Sequence, residues 1–98
     1  MMTKFGTLIK TESPVLINFY QNGSNLPKIV EVLKEVASQI GSNARIIKID
    51  IAKNELLADA LKIKGNLTYV IYKDGVMKWR QSGEIPSEQL TETLLQFI

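Results

Sequence analysis

Few residues in this 98-residue chain could do chemistry. Ser24 stands where a long helix is expected to begin, with Lys28 one turn further on. A serine becomes a nucleophile only beside an activating base. With no His in the chain, Lys28 is the one nearby candidate for that base. The same position suits Ser24 as an N-cap, an ordinary role for serine at a helix start, and this is the favoured reading. The helix N-terminus could also accept an anion or a carboxylate, a generic property. Asp50, Glu55 and Asp59 supply oxygen ligands but no glycine-centred calcium loop, so a solvated helix face is expected of them. The complete lack of Cys removes thiol nucleophiles, disulfides and thiolate metal ligands together. The lack of His removes the usual general base near neutral pH and the commonest metal ligand. Catalytic residues, a metal site and a cofactor are therefore not expected.

The elements around these residues read clearly. Apolar residues make up 45% and charged residues 22%, the balance of an ordinary globular domain, and the length fits one domain over residues 1–98. The net charge of +2 is spread without basic runs, which argues against nucleic acid as a partner. No apolar run is long enough for a transmembrane helix, and the N-terminus lacks a secretory apolar core, so a cytoplasmic location is expected. Phe5, Leu8 and Ile9 predict a short first helix capped by Thr3. Val15 to Tyr20 is a continuous apolar run broken only by Asn18, which predicts a strand covered on both faces with the amide buried and satisfied. Gln21 to Asn25 is a loop. Ser24 or Asn25 caps a helix to Ile40, with Pro27 in its first turn and Gly41 as its stop. Its apolar stripe is Leu26, Ile29, Val30, Leu33, Val36, Ala37 and Ile40, with the pairs Glu31 to Glu35 and Lys34 to Ser38 filling the wet face. Arg45 to Ile51 is a second strand, its Lys48 and Asp50 partly wet. Residues 54–62 form a helix capped by Asn54, with Leu56, Leu57, Ala60 and Leu61 inward. Asp74-Gly75 joins two strands, Thr68 to Tyr72 and Val76 to Gln81, as a hairpin. Tyr69, Tyr72 and Trp79 lie in that hairpin and are expected to pack across strands; an exposed Trp79 on the edge could instead anchor a partner. Ser87 caps a last helix whose stripe is Leu90, Leu94, Leu95 and Ile98.

These stretches, in this order, resemble the thioredoxin family from Phe5 to the C-terminus. Leu16-Ile17-Asn18-Phe19-Tyr20 is similar to the family strand Val-Asp-Phe-Trp. Lys48-Ile49-Asp50-Ile51 with Asn54 is similar to Lys-Val-Asp-Val-Asp-x-Asn. Ile63-Lys64-Gly65-Asn66-Leu67-Thr68 is similar to Ile-Arg-Gly-Ile-Pro-Thr, and Tyr72-Lys73-Asp74-Gly75 to Phe-Lys-Asn-Gly. Gly83 to Ser87, with Leu90, matches the start of the last family helix. The resemblance implies an α/β thioredoxin fold. Its central sheet is mixed and four-stranded, a parallel β-α-β unit plus an antiparallel hairpin, with helices on both faces. The family's additional N-terminal strand has no counterpart.

The departures fall on the positions that carry the family's chemistry. The Cys-x-x-Cys that opens the long helix is replaced by Gly23 and Leu26 or by Ser24 and Pro27, depending on where a one-residue deletion lies. A deletion inside a helix rotates everything beyond it by about 100°, which favours the loop and hence Gly23 and Leu26. The degenerate loop is thus Gly23, Ser24, Asn25, Leu26 and Pro27. The family's buried acid matches Asn18, which cannot titrate. Its cis-proline matches Leu67; a cis bond before a non-proline costs about 2.5–4 kcal/mol, so a trans Asn66–Leu67 bond is expected. The resemblance with these losses implies a redox-inactive member that binds a protein or peptide. The alternatives are an oxidoreductase-related protein working through a partner's thiols, and a structural subunit. The stretch from Arg45 to Ile51 would be a bare sheet edge, to be covered by the N-terminal segment or by a second subunit in a homodimer.

Overall fold

The computed structural model describes residues 2–21, 26–63 and 67–98. Helix α1 spans Met2–Ile9 and buries Phe5 and Ile9. It starts ahead of Thr3, so Thr3 lies within its first turn rather than at the cap expected of it. Strand β1, Val15–Tyr20, is the centre of the molecule, with Val15, Leu16, Ile17 and Asn18 all at 0% exposure.

Helix α2 spans Leu26–Ile40, with Pro27 in its first turn, where the missing N–H has no intrahelical partner to lose. Its buried stripe is narrower than the sequence suggests. Ile29, Leu33, Val36 and Ile40 are buried, whereas Leu26 and Ala37 are exposed. Val32, outside the stripe read from the sequence, is half-buried against the core cluster. Gly41 ends the helix at φ +62°, the left-handed conformation glycine adopts without strain.

Strand β2 spans Arg45–Asp50. Ile51, expected as its last residue, instead opens a 3-10 turn over Ile51–Lys53. The cause is local: the Asp50 carboxylate accepts the Ala52 N–H at 2.9 Å and turns the chain out of the sheet. Helix α3 is short, Glu55–Ala60. Asn54 precedes it but makes no side-chain cap; its Nδ2 donates to the Asp50 carbonyl at 2.9 Å. Ala58 is the buried residue of α3, Leu57 and Leu61 are half-buried, and Leu56 is 62% exposed, against the inward face expected of it. Lys62 at φ +56° closes the helix, with the Ile63 N–H donating back to the Ala58 carbonyl at 2.8 Å.

Strands β3, Thr68–Lys73, and β4, Val76–Ser82, form the hairpin the Asp74-Gly75 pair predicts. Both turn residues have positive φ, +54° and +81°, as a two-residue hairpin turn of the primed type requires. A register shift between Ile71 and Tyr72 leaves an extra residue on β4. Trp79 is half-buried against the core, which agrees with hairpin packing. Helix α4 spans Ser87–Leu95 with Pro86 at the cap position; the Ser87 hydroxyl donates to the Glu35 carboxylate at 3.1 Å instead of capping. Leu90 and Leu94 are fully buried, whereas Leu95 and Ile98 face outward.

The sheet order is β2-β1-β3-β4. β1 pairs parallel with β2 and antiparallel with β3, and β3 pairs antiparallel with β4. Alternate residues of each strand feed two cores. Leu16, Tyr69 and Ile71 join Leu33, Val36, Leu90 and Leu94 under α2 and α4. Val15, Ile17, Phe19, Val70 and Tyr72 join Phe5, Ile9 and Ala58 under α1 and α3. Within the second core the Phe5 and Tyr72 rings meet edge to face, centroids 5.5 Å apart.

Candidate functional site

The C-terminal end of β1 and the N-terminal ends of β3 and α2 lie at one end of the sheet. Three of the positions singled out in the sequence fall in this region. Asn18 sits in the middle of β1 with its side chain wholly buried. Leu67 immediately precedes β3 and is itself buried. Leu26 and Pro27 form the exposed start of α2. Gly23, Ser24, Asn25 and Asn66 lie outside the described residues, and so do the predicted cap of α2 and the isomer of the Asn66–Leu67 bond.

A cleft of about 390 Å³ opens between these elements. Ile29 and Val32 of α2 form one wall, Leu67 and Tyr69 the floor, and Ile85 and Pro86 the other wall, with Lys28 and Glu84 on the lining. The cleft is shaped by backbone geometry. Gly83, at φ +97°, donates its N–H to the Leu67 carbonyl at 2.8 Å, and this bond folds the stretch Glu84 to Pro86 back toward Leu67. The sequence matched Gly83 to Ser87 with the start of a helix but did not place Glu84, Ile85 or Pro86 on a site. The signal was present: an isolated apolar Ile85 directly after a glycine turn is now 4% exposed. Tyr69, read as a hairpin residue, is also part of this floor.

Asn18 is opposite Tyr69 in the β1–β3 register. The sequence expectation of a satisfied amide is not met among the described residues, where neither Oδ1 nor Nδ2 reaches a partner with hydrogen-bond geometry. Loss of solvent holds the Tyr69 phenol above its usual pKa; the Asn18 amide beside it eases ionisation, and Glu84 opposes it. The amide is thus near enough to act on Tyr69 electrostatically, without reaching the geometry of a hydrogen bond. Asn replaces a titratable acid at this position by the resemblance noted above, so no proton can be delivered from it. Ser24 cannot be placed, and the chain carries no sulfur nucleophile. Among the described residues no cluster of acidic side chains is arranged to hold a metal, and Asp50 is occupied in capping Ala52. What remains is a shallow apolar cleft with mixed charge on its lining.

The model of the thioredoxin family matches residues 1–96. The chain is 32% identical over 88 residues to Thioredoxin Y, chloroplastic, of Oryza sativa, covering 89% of this chain and 52% of that protein. It spans about half the length of that protein and of its two Arabidopsis thaliana counterparts. It is 28% identical over 93 residues to Thioredoxin 1 of Chlorobaculum tepidum, covering 93% of this chain and 92% of that one. Among solved structures, Fasciola hepatica thioredoxin superposes with a TM-score of 0.85 at 22% identity, covering 99% of this chain and 94% of that one.

Proposed function

The chain belongs to the thioredoxin family, and we propose that within it this protein is a redox-inactive binding module that holds an extended protein or peptide segment in the cleft beside α2. The observation that carries the reading is the pairing of a retained apolar cleft with the absence of any cysteine. Thiol–disulfide exchange needs a thiolate, and this chain has none to offer. The cleft, by contrast, keeps what a binding groove uses. Ile29, Val32, Leu67 and Ile85 give apolar surface, and Lys28 and Glu84 give charges that can orient a segment. Binding there buries apolar side chains of the ligand and requires no proton transfer, which suits a site built over an untitratable Asn18.

Two measurements test the reading. In an insulin-reduction assay with dithiothreitol, the protein should leave the rate at the uncatalysed value; acceleration would sink the redox-inactive assignment. In two-dimensional NMR with a panel of extended apolar peptides, signals of Ile29, Val32 and Leu67 should shift together. Leu67→Glu should weaken the binding about tenfold or more, a loss on the order of 1.4 kcal/mol. Shifts confined to other surfaces would remove the cleft from the binding role.

A further inference from the structure

Strand β2 is the outermost strand on its side of the sheet. Its inner edge is bonded to β1: the Arg45 N–H donates to the Pro14 carbonyl at 3.0 Å. Backbone groups alternate along a strand, so Arg45, Ile47 and Ile49 turn their N–H and C=O groups toward β1. Ile46, Lys48 and Asp50 turn theirs outward. Among the described residues, no backbone hydrogen bond reaches the outward groups of Ile46 or Lys48. The Asp50 carbonyl accepts from Asn54 and keeps a second lone pair. A cleft of about 610 Å³ wraps this edge, lined by residues of both strand faces from Ile47 to Asp50. Beyond the strand it includes Leu8 of α1 and Leu56 of α3, the latter 62% exposed. An open edge with half-buried isoleucines is a template for another strand.

The charge pattern selects the occupant. Lys48 and Asp50 have opposite sign, share one strand face and are two residues apart, so the edge carries its own complement. We propose that β2 pairs antiparallel with β2 of a second copy about a two-fold axis, joining the two sheets into one. Only outward-facing residues can form the hydrogen-bonded pairs, which leaves three registers. Centring on Ile47 sets Lys48 against Ile46 and Asp50 against Ala44. Centring on Lys48 sets that lysine against itself. Centring on Ile49 sets Lys48 of each copy against Asp50 of the other, twice by symmetry. In that register Ile49 meets the second copy's Ile49 in a non-hydrogen-bonded pair, where side chains approach most closely. Ile47 then lies opposite the second copy's Ile51, the first residue of the 3-10 turn beyond β2, and both pack against the α1 and α3 core. The register centred on Ile49 is the one in which charge and apolar pairs agree. This edge lies on the opposite side of β1 from the β3 strand that floors the α2 cleft, so dimerisation and peptide binding succeed or fail separately.

The test is charge exchange, read by sedimentation equilibrium of the full chain. The protein should be a dimer whose dissociation constant rises at least about tenfold in Lys48→Asp and in Asp50→Lys, because each places like charges opposite one another. An equimolar mixture of the two variants should form a heterodimer, and the Lys48→Asp, Asp50→Lys double variant should regain the dimer. Asp50→Lys also removes the acceptor of the Ala52 N–H, so Trp79 fluorescence must first show it folded. Lys48→Pro gives an independent variant. It deletes an outward N–H while leaving the bonds to β1 intact, and it should also be monomeric. A wild-type monomer at all accessible concentrations overturns the proposal. A dimer indifferent to both Lys48→Asp and Lys48→Pro overturns it as well.

Discussion

The two faces of the sheet use alternate residues of the same strands and have come to differ in how they treat polar groups. On the α2 and α4 face, Asn18 is wholly buried, its amide without a hydrogen-bond partner among the described residues, beneath an apolar cleft. On the α1 and α3 face, the buried polar residue is Thr68, whose hydroxyl lies 3.4 Å from that of Ser82, and further polar work is done at the rim. There the Arg80 guanidinium donates to the carbonyls of Leu61 and Lys62, at 2.6 and 2.9 Å, and satisfies the end of α3. A charged group at the rim keeps water on one side and finds acceptors on the other. An amide in the middle of a close-packed strand has no such choice. The difference lies in whether the buried polar group finds company: Thr68 on one face has the Ser82 hydroxyl beside it, and the Asn18 amide on the other has no hydrogen-bond partner among the described residues.

The strongest attack on this contrast is to unload each face in turn. Leu16 and Ile17 are neighbours, both fully buried, and point to opposite cores. Leu16→Ala and Ile17→Ala should each destabilise by about 2–5 kcal/mol in urea unfolding. A much smaller loss for one would mean that its face carries little of the stability. Next in size is the amide itself. Asn18→Leu keeps the branch at Cγ and leaves no buried donor or acceptor unmet, so it should stabilise by up to about 1–3 kcal/mol less the cost of seating its larger side chain. A loss instead would show that the amide is satisfied in solution and the contrast overstated. Arg80→Ala should cost about 1 kcal/mol, since hydrogen bonds from an exposed charge are partly replaced by water.

The smallest effect is in titration. Loss of solvent raises both Tyr69 on one face and Tyr72 on the other, with Asn18 lowering the first and Arg80 the second. A tyrosine raised in the folded state holds its proton longer than in the unfolded chain. Its contribution to stability is therefore intact below the ordinary tyrosine value of 10.0 and declines as pH rises past it. Phenolate absorbance should show both titrating late. Asn18→Leu should delay Tyr69 further and leave Tyr72 in place, and Arg80→Ala should do the reverse.

The architecture was legible because its signals are periodic and repeated. The Val15 to Tyr20 run, the α2 stripe and the Asp74-Gly75 turn each predict one element, and each element is there. The errors lie where a single side chain chose between two local partners. Ser87 bonds Glu35 across helices rather than capping α4, and Asn54 bonds the Asp50 carbonyl rather than capping α3. A cap requires only the residue type at one position, and the sequence cannot say that a better acceptor will stand nearby. Of the candidate site, Asn18 and Leu67 were legible through resemblance. The wall from Glu84 to Pro86 was not, because it is brought in by the bond from Gly83 to Leu67, which depends on φ at one glycine.

One small contact has a consequence for the order of assembly. The hairpin turn between β3 and β4 donates the Asp74 N–H to the Thr11 carbonyl at 2.9 Å and the Gly75 N–H to the Ile9 carbonyl at 3.0 Å. The acceptors sit at the end of α1 and just after it, and the donors lie far along the chain, between β3 and β4. During synthesis α1 has nothing to close these bonds with until the turn between β3 and β4 has been made. Contacts of such separation slow folding. The first helix should therefore be among the last parts to lock, and amide exchange at Asp74 and Gly75 should report when it does.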